Sequence, residues 1–169
     1  ISHYYCEMAV SMIISKKYSD GSKFLLQAIE EHKNCVRANI LLGDVRESQG
    51  MIDEAISYWR KIEYQKPEYL GLVASKIIKA YQAEGKINDG LSILSRYYDL
   101  YNLRTLLNVL YEAVISNEGP GSAEKIARNE LIQRPSLLAL DQLFQALAMN
   151  KNTQIDNIEL IQQTIKNTI

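Results

Sequence analysis

Small and turn-forming residues recur along this chain at a spacing of about 34 residues, a period that confines a sequence to stacked copies of one supersecondary unit. The stretch from Val36 to Tyr69 carries the signal most fully, with Leu42-Gly43 followed by Gly50, Ala55, Trp59 and Pro67. Gly43 and Ala55 are small where the two helices of one hairpin cross closely. Trp59 fills the groove toward the neighbouring hairpin. Gly50 ends the first helix, where a left-handed residue costs least without a Cβ. Asp53 and Glu54 open the second helix, where negative charge complements the helix dipole. Pro67 starts the next helix, where its missing N–H is not needed. One period upstream, Ala9 falls at the Gly43 position, Gly21 at Ala55, Leu25 at Trp59 and Ala28 at Ile62. Downstream, Tyr81 to Leu94 repeats the pattern with one inserted residue, so that Gly85 corresponds to Gly50 and Gly90 to Ala55. Ala123 matches Ala55 in the next unit, and Pro135 lies two periods after Pro67.

This pattern resembles the tetratricopeptide repeat, and the resemblance implies an all-α chain of helical hairpins wound as a right-handed superhelix. The spacing predicts helices over 2–15, 19–32, 35–49, 52–65, 68–84, 87–100, 103–117, 121–133, 136–149 and 155–168. Paired, they give four to five hairpins within residues 1–151, at about 2–35, 36–69, 70–102, 103–135 and then 136–149 with the last helix. The turn-rich run Asn117-Glu118-Gly119-Pro120-Gly121-Ser122 is the most irregular connection. A single hairpin cannot bury its apolar face, so stability comes from stacking neighbours. Residues 152–169 read as an amphipathic capping helix, with Ile155, Ile158, Ile161, Ile165 and Ile169 forming a stripe. The same stripe would serve as a docking strip for a further module or partner.

The residue inventory argues against most chemistry. Formal net charge is -1, and the longest basic run is Lys16-Lys17, so no electrostatic footprint for nucleic acid is present. Two histidines allow no catalytic triad and no metalloprotease motif. His3 and Cys6, with His32 and Cys35, offer four soft ligands in two pairs. Their spacing is not that of a finger or knuckle, so packing is the favoured reading and no metal or other cofactor is expected. Gly119-Pro120-Gly121-Ser122 lacks the lysine and the preceding strand of a phosphate loop and reads as a turn. The carboxylate pairs Glu30-Glu31 and Asp53-Glu54 sit at helix ends in solvent, not in a desolvated cleft where acid–base work would be tuned. Several of the 11 tyrosines, such as Tyr5, Tyr81 and Tyr111, fall where this repeat class packs its core. Free thiols fit a reducing compartment. No stretch reaches the roughly 18 apolar residues of a membrane span. The chain starts at Ile1, which reads as the start of an excised piece of a longer protein.

What remains is a binding surface. In tetratricopeptide proteins the first helix of each hairpin lines a concave face, which here gives Arg37, Ile40, Asp44, Glu47, Leu72, Lys79, Gln82, Asn108 and Glu112 as candidate partner-binding residues. The set mixes charges around apolar islands. It lacks the basic clamp with which chaperone-binding members hold a C-terminal carboxylate, because Cys6, Val10, Ile40 and Asp44 are poor anion ligands. A folded surface or an amphipathic segment suits such a face better than an acidic tail.

Four segments carry a narrower resemblance: HYYCEMA at 3–9, VRANILLGD at 36–44, AYQAEGK at 80–86 and ARNELIQRPSLLALDQLF at 127–144. Together they resemble the YciM family of Gram-negative bacteria, the lipopolysaccharide assembly B proteins. The resemblance covers about residues 2–149. It implies a non-catalytic scaffold or adaptor that tunes lipopolysaccharide synthesis at the cytoplasmic face of the inner membrane. Its expected partners are the membrane protease FtsH, the lipid A deacetylase whose turnover that protease controls, or other lipopolysaccharide-assembly proteins. The family also implies an N-terminal membrane helix and a rubredoxin-like module with paired Cys-x-x-Cys. This chain has no Cys-x-x-Cys, so metal binding does not carry over to it. Two other readings stay open: a scaffold of a different assembly or secretion pathway, or an accessory region of an N-acetylglucosaminyltransferase-like protein.

Overall fold

The first helix of each of the first four hairpins ends at a residue of positive φ, and these residues recur with the sequence period. Lys16 (φ 58°), Gly50 (76°), Gly85 (69°) and Gly119 (92°) occupy matching turn positions. At the first three, paired hydrogen bonds close the helix end in the Schellman pattern. Around Gly50, its own N–H bonds Glu47 O at 2.9 Å while Met51 N–H reaches back to Arg46 O at 2.9 Å. Lys16/Lys17 and Gly85/Lys86 repeat the pair. At Gly119 the following residue is Pro120, which has no N–H, and only the glycine N–H caps the helix, bonding Val114 O and Ile115 O. A side chain at Gly50 would meet no neighbour within 4 Å. Backbone conformation, not space, therefore selects glycine there.

The structure, a computed structural model, describes residues 1–150. The elements are α1 Ser2–Ile14, α2 Tyr18–Glu31, α3 Val36–Ser48, α4 Ile52–Arg60, α5 Ile62–Gln65, a 3-10 helix Pro67–Leu72, α6 Ala74–Ala83, α7 Ile87–Tyr101, α8 Arg104–Glu118, α9 Pro120–Gln133 and α10 Leu137–Met149. No strand occurs among the described residues. The capping helix expected over 152–169, with its isoleucine stripe, lies outside the described residues. The chain divides into two compact units, residues 1–106 and 107 onward.

In the first unit α1 packs on α2, α2 on α3, α3 on α4 and α6 on α7. Cys6, Ala9, Leu25, Ala28, Ala38 and Leu42 are fully buried in one cluster. Trp59 on α4 is also fully buried. It lies so close over Gly43 on α3 that any Cβ there would overlap the indole ring. Its Nε1 donates to Ile40 O at 3.3 Å and to the Asp44 carboxylate at 3.2 Å. Lys76 on α6 meets the same carboxylate at 2.7 Å. On α5, Glu63 is 5% exposed and takes a two-pronged grip from Arg96 on α7, at 2.7 and 2.8 Å. That grip holds the Glu63 carboxyl below the ordinary carboxylate range.

Two expected helices differ from the observed ones. The stretch 52–65 tightens at Lys61, where i→i−3 bonds separate α4 from α5. The stretch 68–84 opens as a 3-10 helix before α6 begins. A 3-10 turn brings residues i and i+3 to the same side. Leu70 and Val73 are both fully buried by that eclipse. Gly71 fits against the Thr105 side chain where a Cβ would collide. Tertiary packing thus outweighs the α preference that the apolar spacing suggests.

In the second unit α9 packs on α10. Ala123, Ala127, Ala139 and Ala146 are fully buried, so small residues let these helices approach. Ser136 caps α10 by accepting from Ala139 N–H at 3.2 Å. The Tyr111 hydroxyl donates to the Gln142 carbonyl, and the Gln142 amide donates to Asn108 Oδ1 at 3.0 Å.

Candidate protein-binding groove

The 3-10 helix has a consequence for the surface. Tyr69 and Leu72, three residues apart, stay 42% and 60% exposed and face the first turns of α3. Between them lies a cavity of about 470 Å³, lined by His32, Asn34, Cys35, Val36, Arg37, Ile40, Leu41, Lys66, Tyr69 and Leu72. On α3, Val36, Arg37, Ile40 and Leu41 follow the three- and four-residue steps of one helix face. Gln65 donates to Lys33 O at 2.9 Å and ties the end of α5 to the α2–α3 turn behind the groove. The Trp59 bond to Ile40 O fixes the backbone of the groove's floor. The formally charged side chains lining the cavity, Arg37 and Lys66, are both basic. Lys66 Nζ stands over the Tyr69 ring, 5.9 Å from its centre. Arg37 reaches α1, donating to Glu7 at 2.6 Å and facing His3 Nδ1 at 3.1 Å. The Glu7 carboxyl is held below its usual range by Arg37. A second depression of about 370 Å³, lined by Asp53, Ile56, Ser57, Arg60, Lys61, Tyr64 and Tyr81, mixes both charges.

Of the residues singled out in the sequence, the structure gathers Arg37, Ile40 and Leu72 into one cavity. Asp44 is placed differently: it is half-buried and engaged by Trp59 and Lys76, so its charge serves the α3–α4–α6 junction. Glu47, Lys79 and Gln82 are exposed on α3 and α6 outside the cavity. In the second unit, Asn108 accepts from Gln142, and Glu112 is exposed. Sequence reasoning missed Lys66 and Tyr69, and the turn residues His32 and Asn34. Only the 3-10 geometry turns Tyr69 toward the α3 face. The Pro67-x-Tyr69-x-x-Leu72 spacing, an i,i+3 apolar pair directly after a helix-starting proline, was the available signal. Among the described residues no group of three or more His, Cys, Asp or Glu is gathered as for a metal ion. His3 turns to Arg37, and His32 lines the groove.

Repeating turns, hairpins closed through small residues, and a tryptophan over a helix glycine together decide the architecture. The fold is tetratricopeptide-like. It superposes on the putative kinesin light chain of Podosopora anserina, a crystal structure of nearly identical TPR-like repeats. The TM-score is 0.52 at 14% identity, over 98% of this chain and 95% of that one. No family model matches the chain. In sequence the chain is similar to lipopolysaccharide assembly protein B of Escherichia coli strain K12, 21% identical over 85% of this chain. It is also similar to the protein of that name in Haemophilus influenzae, 22% identical over 83%. The chain spans a little over a third of the length of these relatives, 37% and 35%. Among the described residues no helix is long and apolar enough to cross a membrane.

Proposed function

We propose that this tetratricopeptide-like chain is a non-catalytic adaptor whose docking site is the groove between α3 and the 3-10 helix. The observation that carries the reading is the cavity that joins Arg37, Ile40 and Leu72 to Tyr69 and Lys66. Large apolar side chains left exposed around a concavity, with charge at the rim, supply affinity at the centre and register at the edge. The sequence similarity to lipopolysaccharide assembly protein B supports a place in the control of lipopolysaccharide synthesis. The partner in that setting is the protease FtsH, the lipid A deacetylase, or another assembly protein at the cytoplasmic face of the inner membrane.

The test uses Leu72→Asp and, separately, Ile40→Ala in the full chain, each first shown to keep its helical signal and cooperative melting. Leu72 is exposed, so its replacement leaves the core untouched. Binding to the purified cytoplasmic part of the protease and to the deacetylase is then measured by titration. Leu72→Asp is expected to weaken binding at least tenfold, about 1.4 kcal/mol or more. Unchanged affinity for a bound partner would remove the groove as the site. Binding to neither protein would remove the protease and the deacetylase as partners and leave the adaptor reading to other proteins.

A further inference from the structure

One pair of reactive groups is not used by the docking surface, although it borders it. Cys6 on α1 and Cys35 at the start of α3 are free thiols whose Sγ atoms stand 3.9 Å apart. We propose that this pair is a thiol–disulfide exchange site that accepts oxidising equivalents from a low-molecular-weight disulfide and covalently locks α1 to α3.

Access distinguishes the two thiols. Cys6 is fully buried within the α1–α2–α3 core cluster. Cys35 is half-buried and lines the cavity of about 470 Å³. A small disulfide entering the groove therefore meets Cys35 alone. Cys35 precedes the first turn of α3 as its N-cap (φ -72°, ψ 88°), outside the regular helix, and packs against the core cluster that holds Cys6. The sulfurs need to close to about 2.05 Å, less than the width of one atom from where they stand. Arg37 keeps the two elements side by side through Glu7 and His3, so the sulfurs stay face to face. Burial, reinforced by Cys35, pushes the Cys6 thiol up to about 12. Cys6 is thus a poor first nucleophile and is suited to the second step, where its target is already in contact.

The exchange runs in two displacements. The Cys35 thiolate attacks one sulfur of the reagent. The reagent's S–S bond breaks, one small thiolate leaves and takes up a proton, and Cys35 carries the other half as a mixed disulfide in the groove. Cys6 then gives up its proton and attacks Cys35 Sγ, expelling the second small thiolate. In sum, two protein thiols are oxidised to one disulfide and one small disulfide is reduced to two thiols. The mixed disulfide would fill the groove while it lasts. That effect rests on the docking reading, whereas the exchange itself does not.

The probe is oxidised glutathione, added to the reduced chain, with acid quenching, alkylation and intact-mass readout. The wild-type chain is expected to lose two hydrogens and retain no glutathione, and dithiothreitol should reverse the change. Cys6→Ser should stop at one glutathione on Cys35, and Cys35→Ser should stay reduced. Oxidised wild type should also melt at a higher temperature, because the cross-link restricts the unfolded chain. Peptide mapping of the wild-type chain after brief exposure covers the case of a variant that does not fold, and should place the first adduct on Cys35. A wild-type chain that stays reduced, keeps its glutathione, is first modified at Cys6, or melts no higher when oxidised would overturn the proposal. Loss of partner binding on oxidation, or its persistence, bears only on the groove.

Discussion

The α3–α4 hairpin and the α9–α10 contact, which joins one hairpin to the next, close their helix crossings with opposite materials. In the first, a tryptophan closes against Gly43 and is held by Asp44, which Lys76 holds in turn. In the second, four buried alanines bring the helices together, and neutral hydrogen bonds from Tyr111 and Gln142 to Gln142 O and Asn108 set the register of α8 against α10. A large ring in a gap opened by a missing Cβ concentrates stability at one point. An alanine seam spreads it thinly. The period tolerates both because it demands only that one side of each crossing be small. The first unit also bolts helices together with charge, as at Glu63–Arg96.

The sharpest way to break the comparison is Trp59→Ala. It removes a fully buried ring whose space cannot be refilled and should cost about 3–5 kcal/mol in chemical denaturation. A loss below about 1 kcal/mol would show that the hairpin does not depend on a single residue.

Next in size is Arg96→Met, which leaves the buried Glu63 carboxylate without its partner. The expected loss near neutral pH is roughly 2–3 kcal/mol, reduced from a fully buried pair because Arg96 is nearly half exposed. Arg96 lowers the folded-state pKa of Glu63, so the pairing contributes fully above the unfolded carboxylate's pKa of about 4.3. It fades as pH falls through the lowered folded value. The gap between wild type and variant should close in acid. A gap that stays constant down to about pH 3 would mean that the loss comes from packing of the arginine stem.

The smallest effect is expected for Tyr111→Phe in the second unit, about 1 kcal/mol for one neutral hydrogen bond. Calorimetry giving a loss as large as that of Trp59→Ala would erase the distinction between a concentrated and a distributed contact.

Much of this was legible in the residues. The period, Gly50 and Gly85 at left-handed turns, and Pro67 as a helix start follow from local rules of conformation. Trp59 was expected in the groove toward the neighbouring hairpin, whereas its ring covers Gly43 of its own hairpin. Lys16 was not marked as a turn residue, because nothing in a lysine side chain signals positive φ. The 34-residue register alone places it opposite Gly50. Of the nine candidate binding residues, Arg37, Ile40 and Leu72 meet in one cavity; the first two share a face that can be counted along α3, and Leu72 comes from the 3-10 helix. Tyr69 was missed because the count beyond Pro67 assumed 3.6 residues per turn, and Lys66 because it lies in the connection before Pro67, where no helix face is counted. Asp44 looked like a rim charge because its partners, Trp59 and Lys76, lie 15 and 32 residues away in the chain.

By itself, then, the sequence determined an all-α repeat, the glycine turns that end its first helices, and which positions must be small. Those are short-range matters, set by backbone sterics and by the geometry of a single hairpin. Tertiary structure decided that Pro67–Leu72 winds as a 3-10 helix, that a groove opens beside it, and that two cysteines, on α1 and at the start of α3, come within 3.9 Å. Each depends on side chains from separate elements competing for one space, and no local rule fixes how that competition ends.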